Sequence, residues 1–312
     1  MDIIYRKAIP LKDDKEILSV YNEAHGQELT MEWFKWYNYT CPYGANRLCV
    51  AEDRDTSRIA AVWGMLPLRV KLNDKIVNGS FASNATTHPD YQHKGIFTEL
   101  NKFVQSQEKQ HDVKVSVGIF GENDIWGMKH LGWEILGDLE FIACYNTTGI
   151  EVPRIIEVNR FTKEFDWLML ESYRKTRFSF FKTHEFLNWR YFDRPDQQYH
   201  VYAYRTEDKL SGFSVLKYFE ENGYKKAHIL DMYFLNENTF DVLIGISKNF
   251  SVAGGCHVLN CWQAKYSPYL EWFFQRGFEP TTHRQVLKSN LGPIEKLPKH
   301  DWWFMLGGYD VY

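Results

Sequence analysis

Apolar residues recur with two different periods along this chain, and the switches between them mark its elements. "IIYRKAI" (3–9) reads as a strand, and 13–24 as a helix with Ile17, Val20, Tyr21 and Ala24 on one side. A second helix is predicted over 30–39, opened by Thr30, a residue type that caps helix starts. Strands are predicted at 47–52, 58–70 and 76–87, with "LNDK" (72–75) as the turn between the last two. A helix then runs over 96–110, with Phe97, Leu100, Phe103 and Val104 on one face. It is followed by a strand (113–120), a short helix (123–131) and a strand (133–145). Strands alternating with helices predict a mixed α/β sheet whose ligand crevice lies at strand C-terminal ends.

The pattern then repeats. "THEFLNWRYFDRP" (183–195) set beneath "TMEWFKWYNYTCP" (30–42) matches Thr, Glu, Trp and Pro without a gap, and a strand follows each. "LEWFFQRGFEP" (270–280) resembles "IWGMKHLGWEI" (125–135), each a short amphipathic helix leaving through a glycine-aromatic step. This predicts a duplicated unit. The chain of 312 residues is expected to divide into domains 1–148 and 149–312.

One feature is present in the first copy alone. "THPDYQHKGIF" (87–97) sits between a strand and a helix, with Gly95 where the helix opens. Peptide N–H groups at a helix start lack intrahelical partners and carry roughly half a positive charge. Gly95 has no side chain to keep a phosphate away from them, His93 and Lys94 add donors and charge, and Pro89 fixes the bend. The corresponding stretch of the second copy, "LNENTFDVLIGI" (235–246), has no glycine at the helix start and no basic residue.

Composition narrows the field. A formal net charge of −3 lacks the basic surplus of a nucleic-acid binder. The longest uncharged apolar run, 59–68, is interrupted by Pro67 and falls short of the ~20 residues of a membrane span. "MDIIYRKAIP" lacks the apolar core of a secretory signal. Cysteines 41, 49, 144, 256 and 261 form no CxxC, and His184, His200, His228 and His257 lack ligand spacing. Reduced thiols, a cytoplasmic location and no metal are expected. Aromatic residues make up 17% of the chain, which fits either bulky core filling or a groove for a flat-faced ligand.

Thr87, Pro89, Gln92 and Gly95 resemble the V-x-P-x-x-[QR]-x-x-G-x-[GA] signature of the GNAT superfamily of acyl-CoA N-acyltransferases, with Phe97 where that family usually has glycine or alanine. "GENDIWGMKHLGW" (121–133) is similar to the family's Asn-led helix. Residues 1 to about 145 carry the resemblance, the second half follows it in outline, and together they look like a tandem GNAT arrangement with a degenerate second copy. The resemblance implies acetyl-CoA, or another short acyl-CoA, as co-substrate. Backbone groups of Ala85, Thr86 and Thr87 would meet the pantetheine arm, Gln92, His93, Lys94, Gly95, Ile96, Phe97 and Thr98 the pyrophosphate, and Asn123 the thiol end.

The proton-transfer groups stay open. Where relatives place a tyrosine acid, one count gives Met128 and another His130, and the position of a glutamate base is Asn84. A water relay, a residue of the second half, Asp310 or the Tyr312 carboxylate would serve instead. Trp33, Trp36, Tyr37 and Trp126 would border the acceptor. The implied activity is acetyl transfer to a primary amine of a small molecule or amino sugar, by a monomer or homodimer without nucleic-acid or membrane partners. A non-catalytic acyl-CoA module and a tRNA-dependent aminoacyl transferase of cell-wall synthesis are the alternatives.

Overall fold

A computed structural model describes residues 1–145, 147–153, 155–221, 223–290, 300–305 and 307, with backbone alone at 122–123 and 287–290. The first half runs β1 (Ile3–Lys7), α1 (Asp14–His25), α2 (Met31–Tyr39), β2 (Arg47–Asp53), β3 (Arg58–Leu72), β4 (Lys75–Thr87), α3 (Ile96–Glu108), β5 (Val115–Ile119), α4 (Glu122–His130) and β6 (Glu134–Tyr145). The second half runs β7 (Ile156–Glu157), α5 (Lys163–Ser172), β8 (Phe178–Phe181), α6 (His184–Tyr191), β9 (His200–Thr206), β10 (Lys209–Glu221) and β11 (Tyr224–Phe234). It continues with α7 (Glu237–Ala253), β12 (Val258–Ala264), α8 (Leu270–Gln275), β13 (Glu279–Asn290) and β14 (Trp302–Trp303).

Local chemistry explains the shared boundaries. Thr30 accepts a hydrogen bond from the Trp33 amide at the start of α2, and Thr183 does the same for Phe186 at the start of α6. The β3–β4 hairpin turns through Asn73 at φ 51°, a left-handed conformation that asparagine tolerates, and Leu72 pairs with Lys75 across it.

The mixed α/β class is as expected, but the strands of both halves join one continuous sheet. Its order is β1-β2-β3-β4-β5-β13-β6-β12-β11-β10-β9-β7, with β8 and β14 attached beside β3. Reading β1, β2, β3, β4, β5 and β6 as counterparts of β7, β9, β10, β11, β12 and β13, the order is the same from either end. The last strands are exchanged: β13 pairs with β5, and β6 pairs with β12.

Two tryptophans join the halves. Trp36 on α2 and Trp189 on α6 stack with centroids 4.9 Å apart. Each indole donates to the other's main chain, Trp36 Nε1 to Trp189 O at 2.9 Å and Trp189 Nε1 to Trp36 O at 3.3 Å. These are the tryptophans that coincide in the repeat, so the match in sequence is a contact in space. Helices α1, α2, α5 and α6 share one large core on this face of the sheet, while α3 covers the other face of the first half with a smaller core around Trp63, Leu100 and Trp133.

Candidate functional site

β4 and β5 run parallel but pair at three positions only, Gly79–Phe81 against Val115–Val117. Beyond them the strands part into a fork. A bulge then interrupts β4: Gly64 faces Ser83 and Val62 faces Thr86, so Trp63 stands opposite both Asn84 and Ala85, with Asn84 at φ 52°. Beneath it lies a buried polar bridge, in which Asn46 Nδ2 donates to Asn38 Oδ1 at 2.8 Å and to Ser83 Oγ at 3.1 Å. A Cβ on Gly64 would lie 2.7 Å from Ser83 Oγ, which is why that position is glycine.

After the bulge the strand edge faces the fork. The His88 amide bonds to Ala60 O on β3, so the peptide groups of its neighbour Thr87 point away from β3. Thr87 Oγ1 is buried without a partner among the described residues. Thr86 points to the α1 side, where its hydroxyl lies 3.0 Å from His25 Nε2.

The turn is braced from below. His88 Nδ1 accepts from the Asp90 amide at 3.1 Å, and its Nε2 lies 3.0 Å from Glu23 Oε2 and 2.9 Å from Arg58 Nη2. Tyr91 donates to Asp53 at 3.0 Å, and Lys94 donates to Asp90 O at 2.7 Å over the Tyr91 ring. His93 and Gly95 then both adopt left-handed backbone, φ 60° and 75°, and deliver the chain into α3. Gly95 is the N-cap residue and supplies no side-chain cap, so the first amides of α3 are left for another acceptor.

A cavity of about 310 Å³ opens here. Of the predicted coenzyme residues it gathers Ala85, Thr86, Thr87, Gln92, His93, Lys94, Gly95, Ile96 and Phe97, together with Ala24, His25, Tyr91 and Asp124. Phe97 turns its ring against the buried Trp63, 4.9 Å between centroids, so its bulk packs beside the indole and leaves the main-chain cradle clear.

Other expected residues lie elsewhere. Thr98 is exposed on α3 and does not line the cavity. Trp33, Trp36 and Tyr37 are at most 6% exposed and belong to the core that joins the halves, because α2 spends its aromatic face on α6. Asn84 sits in the bulge with its Nδ2 buried and unpartnered among the described residues. Trp126 is 72% exposed on α4, with His130 packed against it at 3.9 Å and His130 Nδ1 2.8 Å from Trp126 O. Met128 is wholly buried. Asp310, Tyr312 and the side chain of Asn123 lie outside the described residues.

Cysteine chemistry finds no support. Burial pushes the thiols of Cys41, Cys49 and Cys261 up to about 12, far from the thiolate range. Two cavity residues with acid–base groups were missed by sequence reasoning, His25 and Asp124. His25 lies about 60 residues before Thr86, and no local motif marked it.

An uncapped helix start behind two left-handed residues is thus set at the mouth of a parted parallel strand pair. Residues 7–135 match the family model described as "Acetyltransferase (GNAT) domain". The structure of a GCN5-related N-acetyltransferase from Anabaena variabilis ATCC 29413 superposes with a TM-score of 0.75 at 12% identity, covering 93% of this chain and 73% of that one. A conserved Enterococcus faecalis V583 protein of unknown function, described as a probable N-acyltransferase, gives 0.75 at 14% identity over the same shares. These two likenesses establish the fold. No curated protein matches the chain in sequence.

Proposed function

We propose that the protein is an N-acyltransferase that moves an acetyl or other short acyl group from acyl-CoA to the primary amine of a small molecule. The observation that carries this reading is the uncapped start of α3, opening on the same cavity as the β4 edge at Ala85–Thr87. The amides following Gly95 would hold the pyrophosphate, with His93 and Lys94 adding charge. The β4 edge at Thr87, whose carbonyl accepts a long 3.4 Å bond from the Gln92 side chain, would exchange that bond for the pantetheine amides, held as an added strand is. The coenzyme supplies an activated thioester.

The chain's own residues then have three tasks. The fork holds the thioester carbonyl where a β4 amide can stabilise the developing oxyanion. The open side admits the amine, whose nitrogen bonds to the carbonyl carbon as the carbon–sulfur bond breaks. A proton leaves the amine, and His25, hydrogen-bonded to Thr86 on the cavity wall facing that edge, is placed to take it. The thiolate gains a proton from solvent or from a group not assigned here.

The test is equilibrium binding of acetyl-CoA, followed by thiol release across a panel of amines. Saturable binding with amine-dependent thiol release supports the reading. His25→Gln should lower kcat by ~10²-fold or more with acetyl-CoA affinity unchanged. Binding without release from any amine would favour a coenzyme-binding module, the second reading. That reading is kept because Met128 is buried and His130 is engaged with Trp126.

The end-to-end symmetry of the strand order and the Trp36–Trp189 pair support a further part of this proposal: the halves 1–148 and 149–312 are tandem GNAT-like units, and the coenzyme site belongs to the first.

A further inference from the structure

The second half has a fork of its own. β11 and β12 run parallel and pair at three positions only, Ala227–Ile229 against Leu259–Cys261, the same short contact that β4 makes with β5. A register shift in β11 follows immediately, as the bulge follows in β4. Counted from the paired positions, Met232 corresponds to Asn84 and Asp231 to Ser83.

This fork is not open. The amide of Leu235 bonds to Ser211 O on β10, so alternation directs the Met232 amide away from β10 and into the fork. That amide donates to the thioether of Met305 at 3.1 Å. The acceptor is weak, yet Met232 and Met305 are both buried, so no water competes. Trp302, Trp303, Phe304 and Met305 are each no more than 4% exposed. Trp303 packs among Tyr233, Phe234 and Tyr269, at the strand ends where an acyl-CoA arm would pass in the first half.

Two glycines make room for the segment. A Cβ on Gly137 of β6 would lie 2.4 Å from the Trp302 ring. A Cβ on Gly307 would lie 1.8 Å from Tyr191 Oη, beside the Asp231 carboxylate. Asp231 in turn binds Lys182 at 2.6 Å and accepts from Tyr191.

We propose that residues 302–305 are an internal ligand, a strap seated in the second fork in place of a coenzyme arm, so that each chain holds one acyl-CoA. The proposal rests on the reading of the first fork as the acyl-CoA site. It accounts for the second half's lack of a glycine turn, since a fork filled by the chain needs no phosphate cradle.

The test uses the full chain. Amide exchange is measured residue by residue in the native protein, in Met305→Leu, which keeps the volume but has no acceptor, and in Gly137→Val, which displaces Trp302 without altering the strap. Exchange at Met232 should quicken at least tenfold in both variants, with the Leu235 amide unaffected in Met305→Leu. Calorimetry of the native protein should give one acetyl-CoA per chain. Unchanged Met232 exchange in both folded variants, or two coenzymes per chain, would overturn the proposal. No coenzyme bound at all would remove the first-fork reading alone, because the exchange measurements involve no coenzyme.

Discussion

Replacing Gly95 with valine separates the two things this residue does. Its φ of 75° is left-handed, and an L side chain there costs roughly 1–2 kcal/mol, more when β-branched. For a chain of this size that is a fall in Tm of a few degrees. An added Cβ meets no protein atom within 4 Å, so nothing in the fold opposes the side chain sterically, and it stands in the cavity that Gly95 lines. There it would exclude the pyrophosphate from the first amides of α3. Hydrogen bonds to a charged group contribute about 1.5–3 kcal/mol each, so losing two weakens binding by roughly 10²–10⁴-fold. Gly255, at φ 65° and equally open, lies in the second half, and Gly255→Val is the matched control. Calorimetry with acetyl-CoA and thermal melts would be run on both. Comparable losses of Tm with loss of affinity in Gly95→Val alone are expected. A folded Gly95→Val protein that binds acetyl-CoA within threefold of native would refute the cradle.

Three other outcomes follow from the packing. Trp36→Ala removes a 6%-exposed ring and one of two reciprocal hydrogen bonds, and should cost ~3–5 kcal/mol, read as a lower denaturant midpoint. The buried Lys182–Asp231 pair predicts non-additivity. Burial holds the ammonium below the ordinary lysine range despite the carboxylate's attraction, so Lys182→Met or Asp231→Asn alone should cost ~3–5 kcal/mol, and the double variant clearly less than the sum. His228 is held at about 4 by burial and by Lys217 and Lys226, below an ordinary 6.5. The unfolded chain therefore binds the extra proton first, and native stability should fall as pH drops from 6.5 toward 4, by up to ~3 kcal/mol. A His228→Phe variant should lack that acid slope, and the same slope in both would reject the assignment.

How much of this was legible in the chain depends on the range of the interaction. The Thr30 cap, the Asn73 turn and the Gly95 helix start are set by residues a few positions apart, and each was readable as such. Most of the residues expected to meet a coenzyme line one cavity because they are close together in sequence. Trp33, Trp36 and Tyr37 were misplaced because an aromatic stripe facing a ligand and one facing a neighbouring helix have the same spacing. Only α6, about 150 residues away, decides between them. His25 was missed for the same reason, since its partner Thr86 is distant in sequence. The exchange of β6 and β13 had no local signal at all, since a strand's own residues do not specify which half it joins.

That exchange changes what the repeat boundary means. β5 is bonded to β4 at three positions but to β13 along its whole length, Val115–Ile119 against Asn290–Val286. The far wall of the first fork is thus held in place by a strand from the second half, and β6 does the same for β12. A fork works as a binding slot only if its strands stay apart without collapsing together or fraying, and an unpaired β5 edge would do neither job. The strands of residues 1–148 therefore do not close a sheet of their own. On the proposed reading, a second half that binds no coenzyme remains necessary, because it supplies the support that keeps β5 away from β4.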